Sequence, residues 1–150
     1  DEGAIRGAWN AIMTSITTKH PDATIEGMLL QRMTPGREVI IGMKRDATFG
    51  PVIVFGLGGI FVEILKDAST RIAPVSLEEA RAQVRSIKAA KLLQGARGTA
   101  PVDEDALVAV IVALSRLALE HPEIEEIDLN PVMAGEHGAT IVDARFMKKQ

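Results

Sequence analysis

Near the end of the chain, side-chain types and spacing suggest a hold on a hard cation. The stretch Glu125–Val132 reads EEIDLNPV, an apolar run that carries Asp128 and Asn130 two residues apart before meeting Pro131. Side chains alternate across a strand, so Asp128, Asn130 and Val132 should share one side. In the later run IVDAR, Ile141, Asp143 and Arg145 should share one side of a partner strand. Gly135-Glu136-His137-Gly138 joins the two runs as a hairpin and brings Asn130 and Asp143 within a pair or two of each other. An amide oxygen and a carboxylate, completed by waters and phosphate oxygens, are a usual way of holding magnesium beside a nucleotide. The plainer reading of these residues is a strand with one solvated face, ended by an Asn-Pro turn.

Other candidates are weaker. In the run from Val39 to Lys44, Val39, Ile41 and Met43 point one way, while Glu38, Ile40, Gly42, Lys44 and Asp46 point the other, giving a greasy and a charged face. Gly56-Leu57-Gly58-Gly59 could cradle a phosphate with backbone amides, or could simply be a tight turn between strands. No Lys follows it, so it is not a P-loop. Glu63 lies on the same strand face as Phe61 and Leu65, which places its carboxylate either at a sheet rim or in a site. His20 and His121 each precede Pro at a helix end and His137 sits in a turn, so none is assigned chemistry. No Ser/His/Asp spacing supports nucleophilic catalysis.

The elements that must position these residues follow from periodicity. Ile5, Ala8, Trp9, Ile12, Met13 and Ile16 recur at helical spacing from Glu2 to about Thr18. Ile25–Met33 and Val39–Lys44 read as strands of a hairpin across Thr34-Pro35-Gly36-Arg37. Asp46–Pro51 is a turn, PVIVFG a buried strand, IFVEIL a further strand after the glycines, and Ser69–Pro74 an edge strand. SLEEARAQVRSIKAAKLL is helical, with Ser76 and Glu79 spaced as a capping box. A second helix spans Asp103–Glu120, and a hairpin of Ile124–Ala134 with Ala139–Phe146 closes the chain. This order lacks the strict strand-helix alternation of a doubly wound sheet and predicts an α+β fold, a mostly antiparallel sheet backed by helices on one face.

Composition narrows the class. The 150 residues, 47% of them hydrophobic, suit one domain with a real core. A net charge of −3 with scattered basic residues leaves no stripe for a phosphate backbone or an anionic membrane, so nucleic acid is not an expected partner. The absence of cysteine removes disulfides and thiolate metal sites and fits a reducing compartment. No apolar run reaches the length of a membrane span and no signal peptide opens the chain, so a cytoplasmic location is expected. Beginning at Asp1 rather than Met, the chain reads as a piece of a longer one.

The ordered set GREVIIGMKRDATFGPVIVFGLGGIFVEILKD, QGARG, EIDLNPV and IVDAR resembles the ATP-grasp domain of NDP-forming acyl-CoA synthetases, relatives of the succinyl-CoA synthetase β subunit. The similarity covers nearly the whole chain. It implies that Asn130 and Asp143 hold Mg2+, the pair strand parity singles out. It also implies that Asp128 lies near the phosphoryl group in transit, where succinyl-CoA synthetases carry the longer Glu. LLQRM resembles the hinge that receives adenine, which puts Gln31, Arg32 and Met33 beside the base. Glu38 resembles the acidic residue close to the nucleotide, and Gly58, Gly59 and Glu63 match a GGxxxE stretch at the phosphate end of the cleft.

The family reaction, as the resemblance implies it, converts acyl-CoA, phosphate and ADP reversibly to acid, CoA and ATP. It passes through an acyl phosphate and a phosphohistidine carried on a different domain. The lysine and glycine-rich loop over the phosphates belong to a preceding subdomain absent from this chain. The expectation is therefore a C-terminal ATP-grasp subdomain, inactive alone and weak in nucleotide affinity. Its partners are ATP or ADP and the remaining domains with the CoA site and phosphohistidine. Two other classes stay open: a regulatory binding module of a lysine acetyltransferase with a synthetase-like region, and an interaction domain with no nucleotide role.

Overall fold

The computed structural model describes residues 1–59, 67–95 and 98–149. It divides into two units, Asp1–Met33 and Thr34–Gln150. In the first, α1 spans Glu2–Lys19, started by Asp1, whose side chain accepts the Ala4 N–H at 2.8 Å, and closed by His20. None of its residues is buried, and its apolar stripe stays open, with Ile5, Trp9 and Ile12 each 45 to 47% exposed. The strand expected at Ile25–Met33 does not form, and no hairpin with the next segment results. Alternation alone does not make a strand: its backbone groups need a neighbouring strand, and among the described residues Ile25–Met33 pairs with none.

The second unit is a sheet with helices. Its strands are β1 (Arg37–Asp46), β2 (Gly50–Leu57), β3 (Ala68–Ile72), β4 (Ile124–Gly135), β5 (Gly138–Ile141) and β6 (Ala144–Lys148). The order is β3-β2-β1-β4-β5, with β6 also on β4, and every pairing is antiparallel. The helices are α2 (Leu77–Ser86), the short α3 (Ala90–Leu93) and α4 (Glu104–Glu120). The fold is α+β as expected; the strand expected for IFVEIL lies outside the described residues.

The expected parity of β1 holds. Val39, Ile41 and Met43 are buried with Ile53 and Phe55 of β2 and Ile127 and Leu129 of β4, under Val84 of α2 and Leu107, Val108 and Ile111 of α4. Each large side chain of this kind contributes about 1.5–3 kcal/mol relative to leaving it exposed. Arg45, at the end of β1, reaches the carboxy-terminal end of α4, where it donates to Ala118 O at 2.8 Å and His121 O at 3.3 Å. A cation there meets the negative end of a helix that has no basic residue in its own last turn.

The single helix expected over SLEEARAQVRSIKAAKLL is two. Ile87 is extended, at φ −69° and ψ 146°, and a new turn starts beyond it. The cause lies 21 and 22 residues back: the Asp67 carboxylate accepts the N–H of Lys88 at 2.8 Å and of Ala89 at 2.7 Å. Those donors would otherwise seek carbonyls one turn earlier in a continuous helix. The Ser76–Glu79 capping box is present in both directions.

Candidate functional site

Helices cover one side of the sheet, and the other side carries the candidate residues. In β4 the buried positions run Ile124, Ile127, Leu129, Val132 and Ala134. Leu129 and Val132 are three apart, so the alternation slips by one residue between them. The reason is a bulge: Val39 pairs with Val132 and Ile41 with Leu129, leaving Asn130 and Pro131 together opposite Ile40. The expectation that Val132 shares a side with Asp128 and Asn130 is thereby corrected, because Val132 is fully buried in the core while Asn130 is exposed.

On its other edge β4 keeps one register through the irregularity. Leu129 lies opposite Ala144 and Val132 opposite Ile141, which sets Asn130 opposite Asp143 and Pro131 opposite Val142. The main chain confirms this: Asn130 N–H donates to Asp143 O at 3.2 Å, and Val142 N–H to Pro131 O at 3.0 Å. The break between β5 and β6 thus falls at the bulge. These two main-chain bonds hold Asn130 and Asp143 next to each other across the break. Asp143 Oδ1 also accepts the Ala144 N–H at 2.9 Å, which fixes the carboxylate's orientation and leaves its second oxygen available.

The donor set suits magnesium. Both side chains offer hard oxygens, and among the described residues no three Asp, Glu or His side chains cluster as a full ligand set. The pair therefore fits an ion that keeps water and phosphate oxygens as its other ligands.

Two residues before Asn130, Asp128 stands partly exposed, opposite Gly42 on one side and Arg145 on the other. Gly42 carries no side chain between Asp128 and Val54, so the flank of the carboxylate is open. One pair further along the same face, Lys44 approaches Glu126 at 3.8 Å.

At the far end of β1, Glu38 and the glycines meet. Gly58 N–H donates to Glu38 O at 2.7 Å. A Cβ on Gly58 would lie 2.8 Å from Glu38 Cβ, and one on Gly59 would lie 3.4 Å from Glu38 Oε2. Gly59 itself has φ +67°, the left-handed region glycine tolerates best. Gly36, Arg37, Glu38, Leu57, Gly58, Gly59 and Leu92 line one cleft here. Sequence reasoning had not linked the glycines to Glu38, since the contact joins residues 20 apart. Glu63 lies outside the described residues. Gln31, Arg32 and Met33 belong to the first unit and are exposed, Met33 by 89%. His20 and His121 occupy helix C-caps, as their sequence positions suggest.

Comparison with known proteins shows the family. A family model described as the ATP-grasp domain matches residues 1–147. The beta subunit of an ADP-forming acetate–CoA ligase I from Pyrococcus furiosus is 53% identical over 148 residues, 98% of this chain and 63% of that subunit. The chain thus spans less than two thirds of that relative. Among solved structures, the dinucleotide-forming acetyl-coenzyme A synthetase 1 of Ca. Korarchaeum cryptofilum, in complex with coenzyme A, Ca-AMPCP and HgCl+, superposes with a TM-score of 0.84 at 43% identity. That match covers 99% of this chain and 66% of the other. The same protein in complex with coenzyme A and Mg-AMPPCP, its phosphohistidine segment pointing towards the nucleotide-binding site, matches at TM-score 0.76 and 46% identity, over 78% of this chain and 55% of that one. Among the described residues no helix is long and apolar enough to cross a membrane.

Proposed function

Because this chain belongs to the ATP-grasp domain family, we propose that it forms the nucleotide- and magnesium-binding wall of an ADP-forming acyl-CoA synthetase. The reaction is acyl-CoA, phosphate and ADP to acid, CoA and ATP, in either direction. The observation that carries the reading is the adjacency of Asn130 and Asp143 across the bulge, joined by main-chain hydrogen bonds and both exposed. Relatives that are acid–CoA ligases support it, and support it over the acetyltransferase module.

In this reading Asn130 and Asp143 hold Mg2+, which when bound neutralises phosphate charge and orients the transferring group. Asp128, one step along β4, faces the phosphoryl group. Glu38, with Gly58 and Gly59, closes the other end of β1, and Gln31 to Met33 receive the base. The chain acts as the C-terminal ATP-grasp subdomain, with the phosphate-loop subdomain, CoA site and phosphohistidine supplied by other parts of the synthetase.

Calorimetry of Mg-ADP binding to the protein that carries this chain tests the proposal. Asn130→Ala should lower affinity and remove its dependence on magnesium. Binding that is unchanged in both respects rejects the site and favours an interaction domain without a nucleotide role.

A further inference from the structure

Among the described residues of β1, β4 and β6, Lys44 and Arg145 lie on the face that carries Asp128, and they differ in how they are matched. Lys44 sits beside Glu126 at 3.8 Å, so its charge has a carboxylate close by. Arg145 lies directly opposite Asp128 in the β4–β6 ladder, yet forms no ion pair with it; its guanidinium donates to the Met147 sulfur at 3.4 Å. A thioether is a weak acceptor. Arg145 is thus a cation on the sheet surface with no carboxylate partner among the described residues.

Its position relative to the candidate metal pair is set by register. Asn130 opposes Asp143, and Asp128 opposes Arg145, two residues along each strand. Two residues of extended chain cover about 6.7 Å. Leu129 and Ile127 are buried in the core, so Asp128, and with it Arg145, points to the open face. Asn130 and Asp143, with Asp128 and Arg145, thus occupy neighbouring register positions on β4 and the strands beside it, three oxygen-bearing residues and one planar cation. An anion bridging to a metal at Asn130 and Asp143 would lie within reach of the guanidinium at the end of its flexible stem.

We infer that Arg145 is the phosphate-binding cation that this wall of the cleft contributes, engaging the terminal phosphate of the metal-bound nucleotide by its planar N–H fork. Arginine is suited to the task because its donors match phosphate oxygens in pairs and its charge is fixed. The inference rests on the nucleotide reading above and adds the residue that reads the phosphate end. With Asp128 beside it, the cation also keeps two like-charged groups, the carboxylate and the phosphate, on a shared face.

The test is calorimetry on the protein that carries this chain, with Mg-ADP and adenosine as separate probes, for Arg145→Met, Arg145→Lys and Asn130→Ala. Arg145→Met should weaken Mg-ADP about ten-fold or more, the size of one charge-assisted hydrogen bond, and leave adenosine affinity and the unfolding midpoint unchanged. Arg145→Lys should recover part of the loss. If Asn130→Ala weakens Mg-ADP while Arg145→Met does not, this inference falls and the metal site stands. If Arg145→Met lowers adenosine as much as Mg-ADP, its role is structural and the inference also falls. If neither variant alters Mg-ADP binding, both readings fall together.

Discussion

Asn130 donates its backbone N–H to the carbonyl of Asp143 at 3.2 Å, where the ladder between β4 and its neighbours breaks, and Asp143 in turn binds the next amide through Oδ1. The carboxylate therefore has a local structural task and a free oxygen. The two can be separated by Asp143→Asn, which retains an oxygen for the Ala144 N–H but loses the charge. Mg-ADP affinity should fall about ten-fold or more while the unfolding midpoint stays put, because a surface side chain that keeps its hydrogen bond alters stability by about 0.5 kcal/mol or less. Calorimetry alongside thermal unfolding reads both; a midpoint that falls without loss of affinity would make Asp143 a turn residue only.

Gly58 answers to sterics rather than flexibility. A Cβ there would come within 2.8 Å of Glu38 Cβ and 2.9 Å of the Glu38 carbonyl carbon, both part of a strand held on each side by β2 and β4. Neither atom is the tip of a mobile side chain, so the strand itself must shift. Gly58→Ala should destabilise by about 1–3 kcal/mol, measured by urea unfolding. Gly42→Ala is the milder comparison, since its Cβ would meet only Ile127 O, at 3.1 Å. Equal stability of the two variants would contradict the account.

What the sequence made legible was local, and what it hid was long-range. Strand parity identified the greasy and charged faces of β1, and residue spacing alone identified the box of Ser76 and Glu79. The side of Val132 could not be read that way, because the slip in β4 depends on how Val39 and Ile41 of a strand some 90 residues earlier pair with it. Parity before the bulge agrees with Asp128 lying opposite Gly42 between the buried Ile127 and Leu129, and parity carried across it to Val132 failed. Likewise Ile25–Met33 has strand-like composition, but among the described residues no strand pairs with it.

The break between α2 and α3 makes the same point and can be tested. KAAKLL has good helix formers, so propensity favours continuation. Asp67, only 6% exposed, overrides it by taking two backbone N–H groups. Asp67→Ala would leave both donors without their partner in a partly buried place, at a cost of about 1–3 kcal/mol for each that stays unsatisfied. Amide exchange at Lys88 and Ala89 should quicken first. Slow exchange there in the variant, with stability retained, would mean that the helix has closed over Ile87.

The capping box of α2 predicts a pH effect of definite sign. Ser76 donates to Glu79 Oε2 from its N–H at 2.9 Å and from its hydroxyl at 2.8 Å. The backbone bond is the larger cause holding the Glu79 carboxyl below the ordinary 4.5, and the hydroxyl bond adds to it. A folded-state value below the unfolded one means that unfolding takes up protons, so the contribution is present in full above the ordinary glutamate range and fades as pH falls through the lowered value. Direct titration of the Glu79 side chain by NMR should give a midpoint under 4.5. Ser76→Ala should return it part of the way toward the ordinary value, since the hydroxyl donor is lost while the backbone N–H remains. A Glu79 midpoint that does not move in Ser76→Ala would show that the hydroxyl contributes nothing and that the backbone N–H, which alanine keeps, holds the carboxyl down.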